Sequence, residues 1–280
     1  MNKIHSILIL FLSGIVMSMV TIFPIKQMVY AHTFSGDESA AFLALVTQIE
    51  AEIGLVNSNL PSNITLAQEH AEHATEHLDA NTTKELAERN EIISNDLTRE
   101  LSDLQASINA KPTPATQVIN DKIANINATL QDAIAVRIER DQLSNSTVNA
   151  LAIIDILGEV LEHYGAAYGT EEAEEESNET STAGNTTETA IGQNTTSIIN
   201  LAEYQSAQSY ANESKQMLKE VKILVPSNAT SAISNVENGI NEMISAINNK
   251  SPFSAVDEIV DSKVLPNLRA AFNLTQLSSK

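Results

Sequence analysis

Apolar residues recur along most of this chain at the spacing of an α-helix. Phe42, Leu45, Val46, Ile49, Ile53, Val56 and Leu60 follow the i, i+3, i+4, i+7 rule, and Leu86, Ile93, Leu97, Leu101, Leu104 and Ile108 do the same. No stretch alternates apolar and polar residues as a half-buried strand does. The pattern predicts eight helices, at about 36–60, 62–79, 82–110, 114–142, 146–168, 197–224, 227–249 and 252–277. Pro61, Pro112, Pro114, Pro226 and Pro252 fall between these segments or at their starts, where a missing N–H does no harm. The expected fold class is all-α. With no cysteine in the sequence, disulfides, thiolate metal sites and thiol catalysis are excluded together, and packing must stabilise the fold.

The eight segments read as four repeated twice. Ala67-Gln68-Glu69-His70-Ala71-Glu72-His73-Ala74-Thr75-Glu76-His77-Leu78 aligns with Ala207-Gln208-Ser209-Tyr210-Ala211-Asn212-Glu213-Ser214-Lys215-Gln216-Met217-Leu218, and Ile119-Asn120-Asp121-Lys122-Ile123 with Val260-Asp261-Ser262-Lys263-Val264. That order predicts two tandem four-helix bundles, 32–143 and 144–280, with a single continuous helical array as the alternative. Residues 169–196 differ in kind. Glu171, Glu172, Glu174, Glu175 and Glu176 lead into Ser, Thr, Asn and Gly with almost nothing to bury, the composition of a disordered acidic loop.

Residues 1–31 carry the marks of export. Lys3 precedes an apolar run from Ile7 to Phe23, and Val29 and Ala31 supply small residues before a cleavage point that would leave His32 as the first mature residue. The run is long enough for an uncleaved membrane anchor to be the alternative. Either way the remainder is expected outside the cytoplasm. Eleven Asn-x-Ser/Thr triplets agree with that placement, beginning at Asn63, Asn81, Asn127, Asn145, Asn178, Asn185, Asn194, Asn212, Asn228, Asn249 and Asn273. The formal net charge is −20, and no Asp or Glu falls in the first 31 residues, so all the acidity lies beyond them. A surface of that sign repels nucleic acid and anionic lipid, and favours cations or basic partners.

Three histidines, His70, His73 and His77, lie at i, i+3 and i+7 of the second segment, between an apolar stripe of Ala67, Ala71, Ala74 and Leu78 and the glutamates Glu69, Glu72 and Glu76. His73 and His77 have the i, i+4 spacing that lets two imidazoles chelate one ion, with Glu69 one turn away as a carboxylate ligand or acceptor. Glu159 and His163 repeat the spacing on the fifth segment, and a free amine at His32 could chelate copper with its own imidazole. Imidazole and carboxylate donors without thiolate select Zn²⁺, Cu²⁺ or Fe. The competing reading is that boundary histidines beside glutamates are merely solvated and pair locally. No Gly-x-Ser-x-Gly, phosphate-cradling glycine loop, His-Glu-x-x-His or dinucleotide fingerprint is present, so no enzymatic activity is expected.

Leu161-Glu162-His163-Tyr164-Gly165-Ala166-Ala167-Tyr168-Gly169, followed after the acidic stretch by Ile199-Asn200-Leu201-Ala202-Glu203-Tyr204-Gln205, resembles the extracytoplasmic helical domain attached to some high-affinity iron permeases. The likeness covers the fifth and sixth segments only. The permease's membrane helices and its Arg-Glu-Gly-x-x-Glu signature are absent. The whole chain also looks like secreted helical proteins of archaea, a likeness that carries over no activity. What the resemblance implies is a soluble module near metal uptake. The functional expectation is an exported, non-enzymatic helical protein that binds a transition-metal ion, in uptake or buffering. The alternative is a structural or protein-interaction module of the cell envelope that holds no metal.

Overall fold

A computed structural model describes residues 36–170, 197–224 and 229–274, and among them there is helix and no strand. The export segment with His32, and nearly all of the acidic stretch, lie outside the described residues. The helices are α1 (Gly36–Asn59), α2 (Ile64–Glu76), α3 (Ala80–Asn109), α4 (Thr116–Arg137), a single turn α5 (Arg140–Leu143), α6 (Ser146–Tyr168), α7 (Leu201–Val221), α8 (Thr230–Asn248), α9 (Phe253–Ile259) and α10 (Leu265–Phe272). Val260–Val264 is a π-helical turn joining α9 to α10.

Local chemistry sets several of the ends. Asn63, Asp79, Asn145 and Asn200 each accept a backbone N–H of the first turn of α2, α3, α6 and α7, satisfying donors that the helix itself leaves bare. Gly169 closes α6 in the left-handed region at φ 68°, and a β-carbon there would lie 2.7 Å from Cδ1 of Ile199. The amides of Ile199 and Asn200 both donate to the Ala167 carbonyl, at 2.9 and 3.3 Å. These bonds pin the start of α7 to the end of α6, however long the chain between them, and so bring Glu203 beside His163.

Two departures from the sequence reading have visible causes. The fourth predicted helix breaks at Ile138, whose backbone is extended, next to a buried Arg137 that pairs with Glu85 at 2.7 Å and lies over the Phe42 ring. Inside α3, Asn90 adopts a non-helical conformation, and its side chain accepts from the amides of Ile92 and Ile93 as an internal cap.

Two hydrophobic cores share α1. Phe42, Val46, Ile49, Ile53 and Val56 pack with Ala67, Ala71, Leu97, Leu101, Ile119 and Ile126 of α2, α3 and α4. Ala40, Ala44 and Ala51, on the other side of the same helix, belong to the core built from α6, α7, α8 and the α9–α10 segment. α1 is long and apolar enough to cross a membrane by length and composition, and its burial here is that of a helix covered on two sides. Along the line where the cores meet, α1 and α2 pack against α6 and α7.

Candidate metal centre

Glu52 interrupts the apolar stripe of α1 between Ile49 and Ile53, and it is fully buried. An ionised carboxylate there is costly unless every lone pair is used. Two helices meet that need. His70 of α2, also 0% exposed, places Nδ1 2.7 Å from Oε2 of Glu52, and the Tyr210 hydroxyl of α7 donates to Oε1 at 2.7 Å. Burial opposes the charge of Glu52, but the His70 hydrogen bond and the neighbouring His73 imidazole more than offset it, holding the carboxyl well below its usual range. Burial and the Glu52 charge keep the Tyr210 phenol protonated, well above its ordinary pKa.

A second layer of bonds orients these groups. Nε2 of His70 donates to Oε1 of Gln205 at 2.8 Å, and Asn59 Nδ2 donates to the same oxygen at 2.9 Å. Nε2–H of His77 donates to the Tyr210 hydroxyl at 2.8 Å, which leaves the lone pair of His77 on Nδ1. Burial, assisted by the charges of His163 and His73, lowers the His77 pKa to about 4. His77 is therefore neutral at pH 7.

His73 stands between this buried network and solvent. Its side chain is 18% exposed, with Nδ1 3.7 Å from Oε2 of Glu52 and Nε2 3.6 Å from Oε1 of Glu203. Neither separation is a hydrogen bond, and Nδ1 is buried without a hydrogen-bond partner. Glu52 raises the His73 pKa against the effect of burial. One ligand atom each from Glu52, His70 and His73 lie within 4.8 Å of one another, so this buried group can hold a metal ion. Beyond His73 a pocket of about 330 Å³ opens to solvent, lined by His73, His77, Glu159, His163 and Glu203 together with Glu76, Glu162 and Ala166. His163 Nδ1 is hydrogen-bonded to Glu203 Oε2, while its Nε2 lies 3.8 Å from Glu159. Burial acts to lower the His163 pKa, and the Glu203 contact outweighs it, so the net shift is upward.

The structure thus draws His70, His73, His77 and His163 into one chain of contacts, with ring centroids 5.9 Å apart for His70 and His73, 6.1 Å for His73 and His163, and 6.4 Å for His77 and His163. It differs from the sequence reading in two respects. His70 is not a boundary residue but fully buried, because Glu52 and Gln205 satisfy both of its nitrogens. The compact ligand group joins His73 to His70 rather than to His77, whose Nε2 is committed to Tyr210. Glu69 is half-buried and enters neither the ligand group nor the pocket lining. Glu159 lines the pocket.

Sequence reasoning missed Glu52, Glu203, Gln205 and Tyr210. Only Glu52 carried a local signal, a lone carboxylate set in an apolar stripe. The arrangement defines a class, an all-α protein with a buried carboxylate–histidine group where two cores meet. Comparison with known protein families, curated proteins and solved structures finds no match to this chain.

Proposed function

We infer that this chain is an exported, non-enzymatic protein that holds a divalent transition-metal ion between Glu52, His70 and His73, in the service of metal uptake or buffering. One observation carries the reading. The buried Nδ1 of His73 has no hydrogen-bond partner and faces Oε2 of Glu52, while the remaining polar atoms of Glu52 and His70 are already held by Tyr210 and Gln205. A ligating histidine usually donates its second N–H to a carbonyl or carboxylate, as His70 does to Gln205. Two imidazoles and one carboxylate suit Zn²⁺, Cu²⁺ or Fe²⁺. Binding displaces the proton between His70 Nδ1 and Glu52, so protons are released as the ion enters.

Export rests on the N-terminal segment and on the seven acceptor asparagines among the described residues, all of them exposed. A second reading has its own support. His70 and Glu52 already form a satisfied buried pair, which could fix how the two cores meet with no metal, as befits an envelope interaction module.

Calorimetric titration of untagged, metal-free protein with Zn²⁺ and Cu²⁺ near pH 7.5 separates the two. The metal reading expects saturable binding far tighter than millimolar, a level worth only about 4 kcal/mol. It also expects His70→Gln/His73→Gln to abolish that binding. No binding tighter than millimolar, or equal binding by the variant, leaves the structural reading standing.

A further inference from the structure

His73 presents its two ring nitrogens to two different carboxylates. Nδ1 faces Glu52 in the buried network, and Nε2 faces Glu203 in the solvent-open pocket. The two nitrogens of an imidazole project from opposite sides of the ring, so one ion cannot use both. The separations carry the argument further. At 3.7 and 3.6 Å they exceed hydrogen-bond lengths. They approach the distance between two donor atoms on a shared ion, roughly 3.4 Å for tetrahedral ligands at metal–ligand lengths of about 2.0–2.1 Å. Each nitrogen of His73 therefore faces a carboxylate oxygen across a gap of ion size.

We propose that His73 bridges two metal ions, one held with Glu52 and His70 in the buried group and the other with Glu203 and His77 in the open pocket. The proposal rests on the metal reading of the buried group and adds a second position to it. Glu203 is placed for the role because His163 holds its Oε2 and leaves Oε1 turned to His73. His77 lines the same pocket and keeps an Nδ1 lone pair, since its Nε2–H is engaged by Tyr210. When both ions are bound, each nitrogen of His73 forms a coordinate bond, the remaining N–H proton leaves to solvent, and the ring becomes an imidazolate. No change of metal oxidation state is involved. The outer ion is reached directly from solvent, and the inner one lies behind His73, which makes the pocket the entrance to the buried group.

Copper tests this without a partner or substrate. Metal-free protein is dialysed against Cu²⁺, bound copper per chain is determined by elemental analysis, and the same samples are integrated by electron paramagnetic resonance. The expected result is two coppers per chain with an integrated signal well below two spins, because an imidazolate bridge couples the pair antiferromagnetically. Glu203→Ala, at the pocket wall, is expected to bind one copper with one full spin. One copper per chain in the wild type, unchanged by Glu203→Ala, overturns the second position while the buried site survives. Two coppers giving two full spins overturn the bridge. No bound copper removes both readings together. The wild-type spin count stands independently of any variant, and circular dichroism melting of Glu203→Ala verifies that its loss of one copper is not a loss of fold.

Discussion

Helices α2 and α7 flank the same carboxylate, and they treat it differently. The internal alignment matches His70 with Tyr210, and both reach Glu52, His70 at Oε2 and Tyr210 at Oε1. Yet α2 continues with His73 and His77, where α7 has Glu213 and Met217. One helix offers imidazoles along a whole face, and the other offers at the matched position one phenol that orients the carboxylate. The contrast teaches that two matched positions can meet one carboxylate from two sides while the run of imidazoles is written on only one of the helices. As a proposal, the duplication extends to the fold, with α2–α4 superposing on α7–α10.

Removing the shared carboxylate should produce the largest effect. Glu52→Ala leaves His70 buried without its counter-ion and Tyr210 without its acceptor, and unfolding of metal-free protein in denaturant is expected to lose about 3–5 kcal/mol of stability, the usual cost of breaking a buried pair. A loss below about 1 kcal/mol, the scale of one ordinary hydrogen bond, would mean that neither helix depends on Glu52.

A smaller loss belongs to the α7 side alone. Tyr210→Phe deletes the hydrogen bond to the charged Glu52, worth about 1.5–3 kcal/mol in the same assay, together with the weaker one accepted from His77. Metal affinity should weaken less than in His73→Gln, because Tyr210 orients a ligand without being one. If the order of the two affinities is reversed, the division of labour between the helices is wrong.

The smallest effect, counted per pH unit, is a slope in which His77 of α2 opposes His73 and His163. His77 has a folded pKa of about 4, below its unfolded value of 6.5, so the folded state binds fewer protons between these limits. Its contribution to stability is complete above pH 6.5 and is lost as pH falls toward 4. His73 and His163 run the other way. Their raised pKa values add stability below 6.5 that disappears as pH rises through the folded values. Glu52, depressed in the folded state, loses its contribution only as pH falls below about 4.5. Unfolding free energies of wild type and His77→Gln, measured from pH 7 to pH 4, should therefore draw together as pH falls. The slope of their difference should not exceed about 1.4 kcal/mol per pH unit. Parallel curves would show that His77 titrates alike in both states.

Much of the fold was legible because helical burial is periodic. The Phe42–Val56 and Leu97–Ile108 stripes announce themselves every three or four residues, and the Asn and Pro punctuation marks their ends. The breaks at Asn90 and Ile138 were not legible. They depend on a side chain capping its own backbone and on an arginine drawn inward to Glu85, a partner 52 residues away. The site divides in the same manner. The histidines were visible as a run on one helix, but their true neighbours Glu52, Gln205 and Tyr210 come from α1 and α7, and no local spacing encodes which partner a histidine will meet across 18 or 135 residues. His70 in particular reads as a boundary residue on a helical wheel. Only the identity of the facing helix turns that boundary into an interior.

The position of α1 between two cores has a consequence for how the molecule comes apart. A chain severed between Leu143 and Ser146 would leave the C-terminal piece without Ala40, Ala44 and Ala51, and its apolar face bare to water. Loss of α1 exposes the interiors on both sides at once, so the halves should melt in one transition rather than in sequence. The amide protons of Ile49 to Val56 should then be the last to exchange with deuterium, released only when the whole protein opens.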